Sequence, residues 1–196
     1  MTLDLVVLVS GSGTNLQAIL DAVAEKRLDA RVRLVLSNKP GVKALDRAQK
    51  HGVATRVLSH KDFQSREAYD AELVKALREA LAGSTTGWVV LAGFMRILTT
   101  TFLDAFQNRV VNIHPSLLPS FPGVNAQQQA VAHGVRISGC TVHLVDAGTD
   151  TGRILAQAAV PVLPDDDEHT LGARILEQEH RLLPGVLQEI AEGRLP

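Results

Sequence analysis

The stretch "DLVVLVSGSGTNLQAILDAVAEKR", residues 4–27, starts as a continuous apolar run and continues into a segment with helical spacing. Its first part, Asp4 to Ser10, is apolar without alternation, which is typical of a strand buried on both faces of a parallel sheet. From Asn15 to Arg27 the apolar residues repeat every three or four positions, which predicts an amphipathic helix. A buried strand, a glycine-rich turn and a helix together predict the first βα unit of an α/β fold.

The same alternation continues along the chain. Further strands are expected at 31–37, 53–59, 87–93 and 109–114, and further helices at 43–52, 65–83 and 126–134. The last two strands, 138–146 and 152–162, follow each other without a helix, which predicts a hairpin. The tail from 168 to 192 has a helical pattern that Pro184 should break or kink. We therefore expect a single domain, residues 1–196, with a doubly wound, Rossmann-like and mostly parallel sheet whose C-terminal part is mixed.

Composition excludes several classes of protein. The 196 residues are 45% hydrophobic and 21% charged, as in ordinary globular proteins, and the formal net charge is −1. That charge gives no electrostatic reason to expect nucleic acid or an anionic membrane as a partner. The apolar N-terminal run is too short to cross a bilayer, and the single Cys140 excludes an intrachain disulfide. These features favour a cytoplasmic protein.

The turn "SGSGTNLQ", residues 10–17, has the composition of an anion-binding loop. Glycines between a strand and a helix let backbone N–H groups approach an anion at the positive end of the helix dipole. A dinucleotide fingerprint would need a third glycine at Leu16 and an acidic residue near Ser37 and Asn38, and neither is present. The pattern favours a single phosphate over NAD, with a tight turn that binds nothing as the alternative.

Asn112 and His114 lie one residue apart in "VVNIHPSLLPSFPG", residues 110–123. In a strand both side chains point to the same face, and ligands of open α/β sheets bind at the carboxyl ends of strands. An amide and an imidazole on one face can stabilise a developing oxyanion, as acyl transfer requires. A structural histidine at the end of a strand is the alternative.

A carboxylate that could orient His114 is expected in "DAGTDTGR", residues 146–153, where Asp150 and Asp146 both qualify. No activated nucleophile is evident, and the histidines are too scattered for a metal site. His143 alternates out of phase with its apolar neighbours and is predicted to be structural. The acidic "PDDDEHT", residues 164–170, predicts the start of a helix rather than a metal site.

Five segments, in this order, resemble the folate-dependent phosphoribosylglycinamide formyltransferases, the glycinamide ribonucleotide transformylases of purine biosynthesis. They are "VSGSGTNLQAIL", "LAGFMRIL", "NIHPSLLPSFPG", "TVHLVDAGTDTG" and "QEH". The resemblance runs from about Val6 to Leu195. "NIHPSLLP" alone marks only the wider superfamily, which includes a tRNA formyltransferase and a formyltetrahydrofolate hydrolase. The early "SGSGTN", "LAGFMRIL" and the short length favour the first group.

The resemblance implies roles residue by residue. Asn112, His114 and Asp150 match the catalytic trio. The positions that match the substrate-binding residues are Gly13, Thr14 and Asn15 in the ribose-phosphate loop, Arg66 near the phosphate, and Glu179, which contacts the glycinamide. The segment that lines the folate pocket corresponds to Met95, Arg96, Ile97 and Leu98, together with Asn112.

Two departures from the family pattern bear on the folate side. Asn125 stands two residues after Pro122-Gly123, where the family often has a histidine. Thr151-Gly152-Arg153 replaces a loop that often reads Gly-Gly-Pro in the family. Neither departure changes a residue of the catalytic trio. We expect the loop after Asp150 to differ in conformation from the same loop in the family.

The resemblance implies formyl transfer from 10-formyltetrahydrofolate to the primary amine of glycinamide ribonucleotide, without a metal. The amine is its own nucleophile, which fits the missing protein nucleophile. Asn112 and protonated His114 would stabilise the oxyanion while Asp150 helps to move the proton. Alternatives are a hydrolase of the same folate and a non-catalytic α/β protein that binds a phosphometabolite. The expected assembly is a monomer or a homodimer.

Overall fold

A computed structural model describes residues 1–195, in which seven strands form one sheet surrounded by six α-helices. The strands are β1 Leu3–Val9, β2 Ala30–Ser37, β3 Thr55–Val57, β4 Gly87–Leu91, β5 Val110–His114, β6 Ile137–Leu144 and β7 Ile154–Pro161. The α-helices are α1 Thr14–Ala24, α2 Lys43–Lys50, α3 Arg66–Ala80, α4 Thr100–Ala105, α5 Ala126–His133 and α6 Glu168–Ala191.

The strand order is β3-β2-β1-β4-β5-β6-β7. The first five strands pair in parallel, whereas β6 and β7 pair antiparallel to their neighbours. This confirms the doubly wound, mostly parallel sheet with a mixed C-terminal part. The order reverses between β1 and β4, and their carboxyl ends therefore form the crevice in which ligands of such sheets bind.

Two apolar cores hold the sheet between its helices. On one face the inward residues of β1 and β5 pack with α1, α2 and α6, and on the other the alternate residues pack with α3 and α4. The β1 run is buried along its whole length, as a strand covered on both faces must be. Ser65 caps the N-terminus of α3, because its Oγ accepts the Ala68 N–H at 3.0 Å.

The expected break at Pro184 is wrong. Helix α6 is continuous from Glu168 to Ala191 with Pro184 inside it. A proline inside a helix costs about 3 kcal/mol, but Leu183, Val186 and Leu187 on either side are all buried in the core. Packing of that apolar face outweighs the local cost, since tertiary contacts supply most helix stability in proteins.

Three other local expectations differ from the structure. Strand β3, at the edge of the sheet and paired with β2 alone, is only three residues long rather than the seven expected. The short helix α4 and a 3₁₀ turn at His60–Asp62 had no predicted counterpart. Within residues 1–195, no helix combines the length and apolarity needed to span a bilayer.

Candidate active site

Strand β5 brings Asn112 and His114 to the carboxyl edge of the sheet, as their spacing predicts. Asn112 lies opposite Leu91 of β4 and His143 of β6, and His114 lies opposite Thr141. Asn112 is half-buried and His114 is 4% exposed. Their strand is central, so both side chains are held by neighbours on either side.

Asp150, rather than Asp146, is the carboxylate beside His114. Its Oδ2 lies 3.3 Å from His114 Nδ1 and accepts the Gly123 N–H at 2.8 Å. Asp146 instead accepts the Gly148 N–H at 3.0 Å and the Thr151 hydroxyl at 2.7 Å, which makes it a turn residue. Asp150 itself has φ +55°, a backbone conformation that bends the loop so that its carboxylate returns to β5.

Both ring nitrogens of His114 face acceptors. Nε2 lies 2.9 Å from the Phe121 carbonyl oxygen, which can only accept, while Nδ1 faces the Asp150 carboxylate. An imidazolium satisfies both contacts, since it carries a proton on each nitrogen. The geometry therefore favours a charged His114 paired with an ionised Asp150.

His143, predicted to be structural, is part of this site. Its Nδ1 lies 2.9 Å from the Leu144 carbonyl and must carry the proton, so Nε2 accepts from Asn112 Nδ2 at 3.1 Å. The same Nε2 is 3.6 Å from Asp150 Oδ1. Burial lowers the pKa of His143, more strongly than its bond to Leu144 and the charge of Asp150 raise it, which favours this neutral form.

Asn112 is thereby fixed in orientation. One hydrogen of its amide goes to His143, and the second remains available for a substrate oxygen. The sequence signal for His143 was its place in β6 directly opposite Asn112, which becomes visible only once the β5–β6 register is known.

The proline-rich segment after His114 is held by a buried hydroxyl. Thr141 Oγ1 donates to the Ser116 carbonyl at 2.7 Å and accepts the Leu118 N–H at 3.0 Å. Gln157 of β7 adds bonds of 3.0 Å to that hydroxyl and 2.9 Å to the Leu118 carbonyl. This network fixes the backbone that leads to Phe121, and with it the acceptor of His114.

Two cavities open at this edge. Cavity A, about 110 Å³, has Asn112, His143 and Asp150 in its wall. Of the four consecutive residues 95–98 matched to the folate pocket, the same wall contains Arg96, Ile97 and Leu98, but His114 is not among the lining residues. The fourth, Met95, is 67% exposed and lines cavity B instead.

Cavity B, about 390 Å³, lies on the other side of β5 and is bounded by the glycine loop, Ser10–Asn15. Gly13 starts α1 with φ +70°, a conformation suited to glycine, and a Cβ there would lie 2.6 Å from Ala44 Cβ. Glu179 closes the opposite wall and accepts the Asn15 amide at 2.8 Å. Burial raises the pKa of Glu179, and the Asn15 bond opposes that shift only in part.

Arg66 lies elsewhere. Its guanidinium donates to the Ile97 carbonyl at 3.3 Å, and it lines neither cavity A nor cavity B. In this arrangement Arg66 supports the segment that follows β4 rather than the glycine loop.

The residues that depart from the family pattern lie at two places in the structure. Asn125 starts α5 with φ +58° and lines a third cavity, cavity C, which shares Ser12, Thr14 and Glu179 with cavity B. Gly152 has no room for a side chain, because a Cβ would lie 1.8 Å from the Leu144 carbonyl oxygen. Arg153 is exposed and lines neither A nor B.

Comparison with known proteins gives consistent results. Residues 3–187 match the family model described as formyl transferase. Phosphoribosylglycinamide formyltransferase of Escherichia coli is 44% identical over 98% of this chain and 89% of its own length. Glycinamide ribonucleotide transformylase 1 from Symbiobacterium toebii superposes with a TM-score of 0.95 at 48% identity, covering 98% of this chain and 89% of that one.

Some relatives are much longer. The trifunctional purine biosynthetic protein adenosine-3 of Drosophila melanogaster is 51% identical over 95% of this chain, which spans only 14% of that protein.

Proposed function

Because this chain belongs to the formyl transferase family, we propose that it transfers the formyl group of 10-formyltetrahydrofolate to the primary amine of glycinamide ribonucleotide, in de novo purine biosynthesis. One observation carries the proposal. Asp150 lies in the wall of cavity A and contacts both His114 and His143, while the glycine-loop cavity opens on the other side of the same strand. Two substrates bound in these cavities would meet beside Asn112.

Cavity B suits a ribose phosphate. Its volume falls within the range of about 300–1,000 Å³ typical of ligand sites, and the N-terminus of α1 faces it with the backbone of Gly13, Thr14 and Asn15. Glu179 offers a buried acceptor for the glycinamide portion of the substrate. Cavity A is smaller and suits only the ring system of a folate, held by Arg96, Ile97 and Leu98, with the rest of the co-substrate outside.

The reaction needs no protein nucleophile. The substrate amine attacks the formyl carbon, a new N–C bond forms, and the bond between that carbon and N10 of the folate breaks. The oxyanion of the tetrahedral intermediate accepts a hydrogen bond from the second amide N–H of Asn112. Asp150 stabilises the charged form of His114 and accepts, directly or through a water, the proton that passes from the amine to N10.

His114 can donate a hydrogen bond to the oxyanion only if its Nε2–H gives up its present acceptor. Its Nε2 is bonded to the Phe121 carbonyl, so the formyl oxygen must take the place of that carbonyl. Phe121 has φ +53°, an unfavourable conformation for a bulky residue, and a shift of its peptide would relieve this strain. The direct donor at rest is therefore Asn112.

We also infer that residues 1–196 act as one catalytic domain in the cytoplasm, as a monomer or a homodimer, without a bound metal. The match over 98% of this chain to the Escherichia coli relative supports one catalytic unit. The chemistry above supports the absence of a metal, since donors and proton acceptors are all supplied by side chains.

The test is a spectrophotometric assay that follows deformylation of the folate with and without glycinamide ribonucleotide. We expect deformylation only with the amine present, together with formylated product in equal amount. Release of formate at the same rate without the amine would identify a hydrolase instead. Binding of the ribonucleotide without any deformylation would identify a non-catalytic binding protein.

A further inference from the structure

The walls of the proposed phosphate site contain few groups that can carry a positive charge, and His169 of cavity C is one of them. Among residues 1–195, no lysine or arginine lines cavity B or cavity C. Both cavities instead contain Glu179, and cavity C also contains Glu168. A phosphate carries up to two negative charges, so its binding beside carboxylates requires compensation from another place.

Arg47 of α2 supplies a positive charge from behind the glycine loop. Its Nε donates to the Ser12 carbonyl at 2.9 Å, and its Nη1 donates to Gln17 Oε1 at 3.1 Å. Both partners are neutral, so neither cancels the charge of the guanidinium. Arg47 therefore bonds the last carbonyl before Gly13 and the first turn of α1 at the same time.

Helix α2 also fixes which way the loop peptides face. Ala44 N donates to the Gly11 carbonyl at 3.2 Å, and Ala44 packs so closely on Gly13 that no side chain would fit there. The carbonyls of Gly11 and Ser12 thus both point to α2. In a trans peptide the N–H points opposite to its C=O, so the N–H groups of Ser12 and Gly13 point away from α2.

We propose that Arg47 is a positioning residue for the phosphate group of the substrate. It holds the Ser12–Gly13 peptide with its N–H turned away from α2, towards the anion. Its charge-assisted bond polarises this peptide and makes the Gly13 N–H a stronger donor. It also places a guanidinium charge against the glycine loop of a site whose described walls contain no lysine or arginine. This inference rests on the proposed function, because it takes the glycine-loop cavity as the phosphate site.

The experiment compares wild type with Arg47→Met, Arg47→Gln and Arg47→Lys. Arg27→Met is the matched control, because Arg27 lines the same cavity behind α1 as Arg47 but bonds to Glu25 instead of the loop. For each protein, KM is measured for both substrates, and Kd is measured for ribose 5-phosphate and for ribose by titration calorimetry. Thermal melting checks that each variant is folded.

We expect Arg47→Met and Arg47→Gln to raise KM for the ribonucleotide and Kd for ribose 5-phosphate about tenfold or more, the effect of losing a charged hydrogen-bond donor. The folate KM should change by less than about twofold, and Arg47→Lys should recover part of the loss. Arg27→Met should match wild type.

The inference is overturned if ribose 5-phosphate binds the folded Arg47→Met and Arg47→Gln variants as it binds wild type. Equal losses for both substrates would also overturn it, since they indicate a merely structural role. A wild type that binds ribose 5-phosphate in an Arg47-dependent manner but forms no formylated product would reject the proposed function and leave the phosphate site standing.

Discussion

Asp150→Asn is the substitution that most directly tests the proposed chemistry. The change keeps the shape of the side chain and removes its charge and its ability to accept a proton. Asp150 Oδ2 lies 3.3 Å from His114 Nδ1, and its side chain is only 15% exposed. At an effective dielectric constant of about 20, the attraction between unit charges at that distance is about 5 kcal/mol before desolvation is counted.

Two effects of this substitution add up. The imidazolium loses its counter-charge, although an amide oxygen at the Oδ2 position can still accept the His114 Nδ1–H. The amide must also keep accepting the Gly123 N–H, which directs its oxygen there and its NH₂ group towards His143. We expect kcat to fall by about 10²–10⁴-fold, the range for loss of a general acid–base group.

The assay is the deformylation rate at saturating concentrations of both substrates, with the two KM values and a thermal melt as controls. Asp146→Asn is the matched control, because Asp146 lines the same cavity but bonds only within its own turn. A kcat of Asp150→Asn within about twofold of wild type, with the protein folded, would refute the role of this carboxylate.

Three further predictions concern stability. Burial lowers the pKa of His143 below its usual 6.5, so the unfolded state binds more protons near that pH, and the free energy of unfolding should fall as pH drops through about 6.5. The urea midpoint should therefore decrease more between pH 7.5 and pH 5.5 in wild type than in His143→Gln. The same decrease in both proteins would contradict this. Thr141→Val leaves the buried Leu118 N–H unpaired and should cost about 1–3 kcal/mol by urea denaturation, whereas a cost below about 0.5 kcal/mol would contradict the network. Gly152→Ala should lower the melting temperature through its clash with the Leu144 carbonyl, whereas Gly185→Ala, which meets nothing within 4 Å in α6, should raise it, and the opposite order would be decisive against both.

The order of strands and helices was predictable because it depends on local patterns. Continuous apolar runs identify strands covered on both faces, and the missing helix between 146 and 152 identifies the hairpin. The continuity of α6 was not predictable in this way. The effect of Pro184 depends on how much apolar surface the residues on either side bury against the sheet, which is a property of the whole fold.

Within the site, the sequence predicts which side chains lie together where one strand carries them both. Asn112 and His114 share a face because they share a strand. The choice between Asp146 and Asp150 depended on the path of a loop, in which Asp150 takes a left-handed conformation that residue type alone does not predict. Arg66 was matched to the phosphate by family resemblance, and its bond to Ile97 follows from the position of α3 relative to the segment after β4.

His143 shows what an argument about phase alone leaves out. Val142 and Leu144 face one apolar core together with Val111 and Ile113, so His143 does point to the opposite face, as its alternation predicts. In a sheet covered on both sides, however, the opposite face is not solvent. At the carboxyl edge of β5 that face carries the candidate active site, and the antiparallel register places His143 against Asn112. The role of a polar residue that alternates with the apolar residues of a buried strand should therefore be assigned from the residue opposite it on the neighbouring strand.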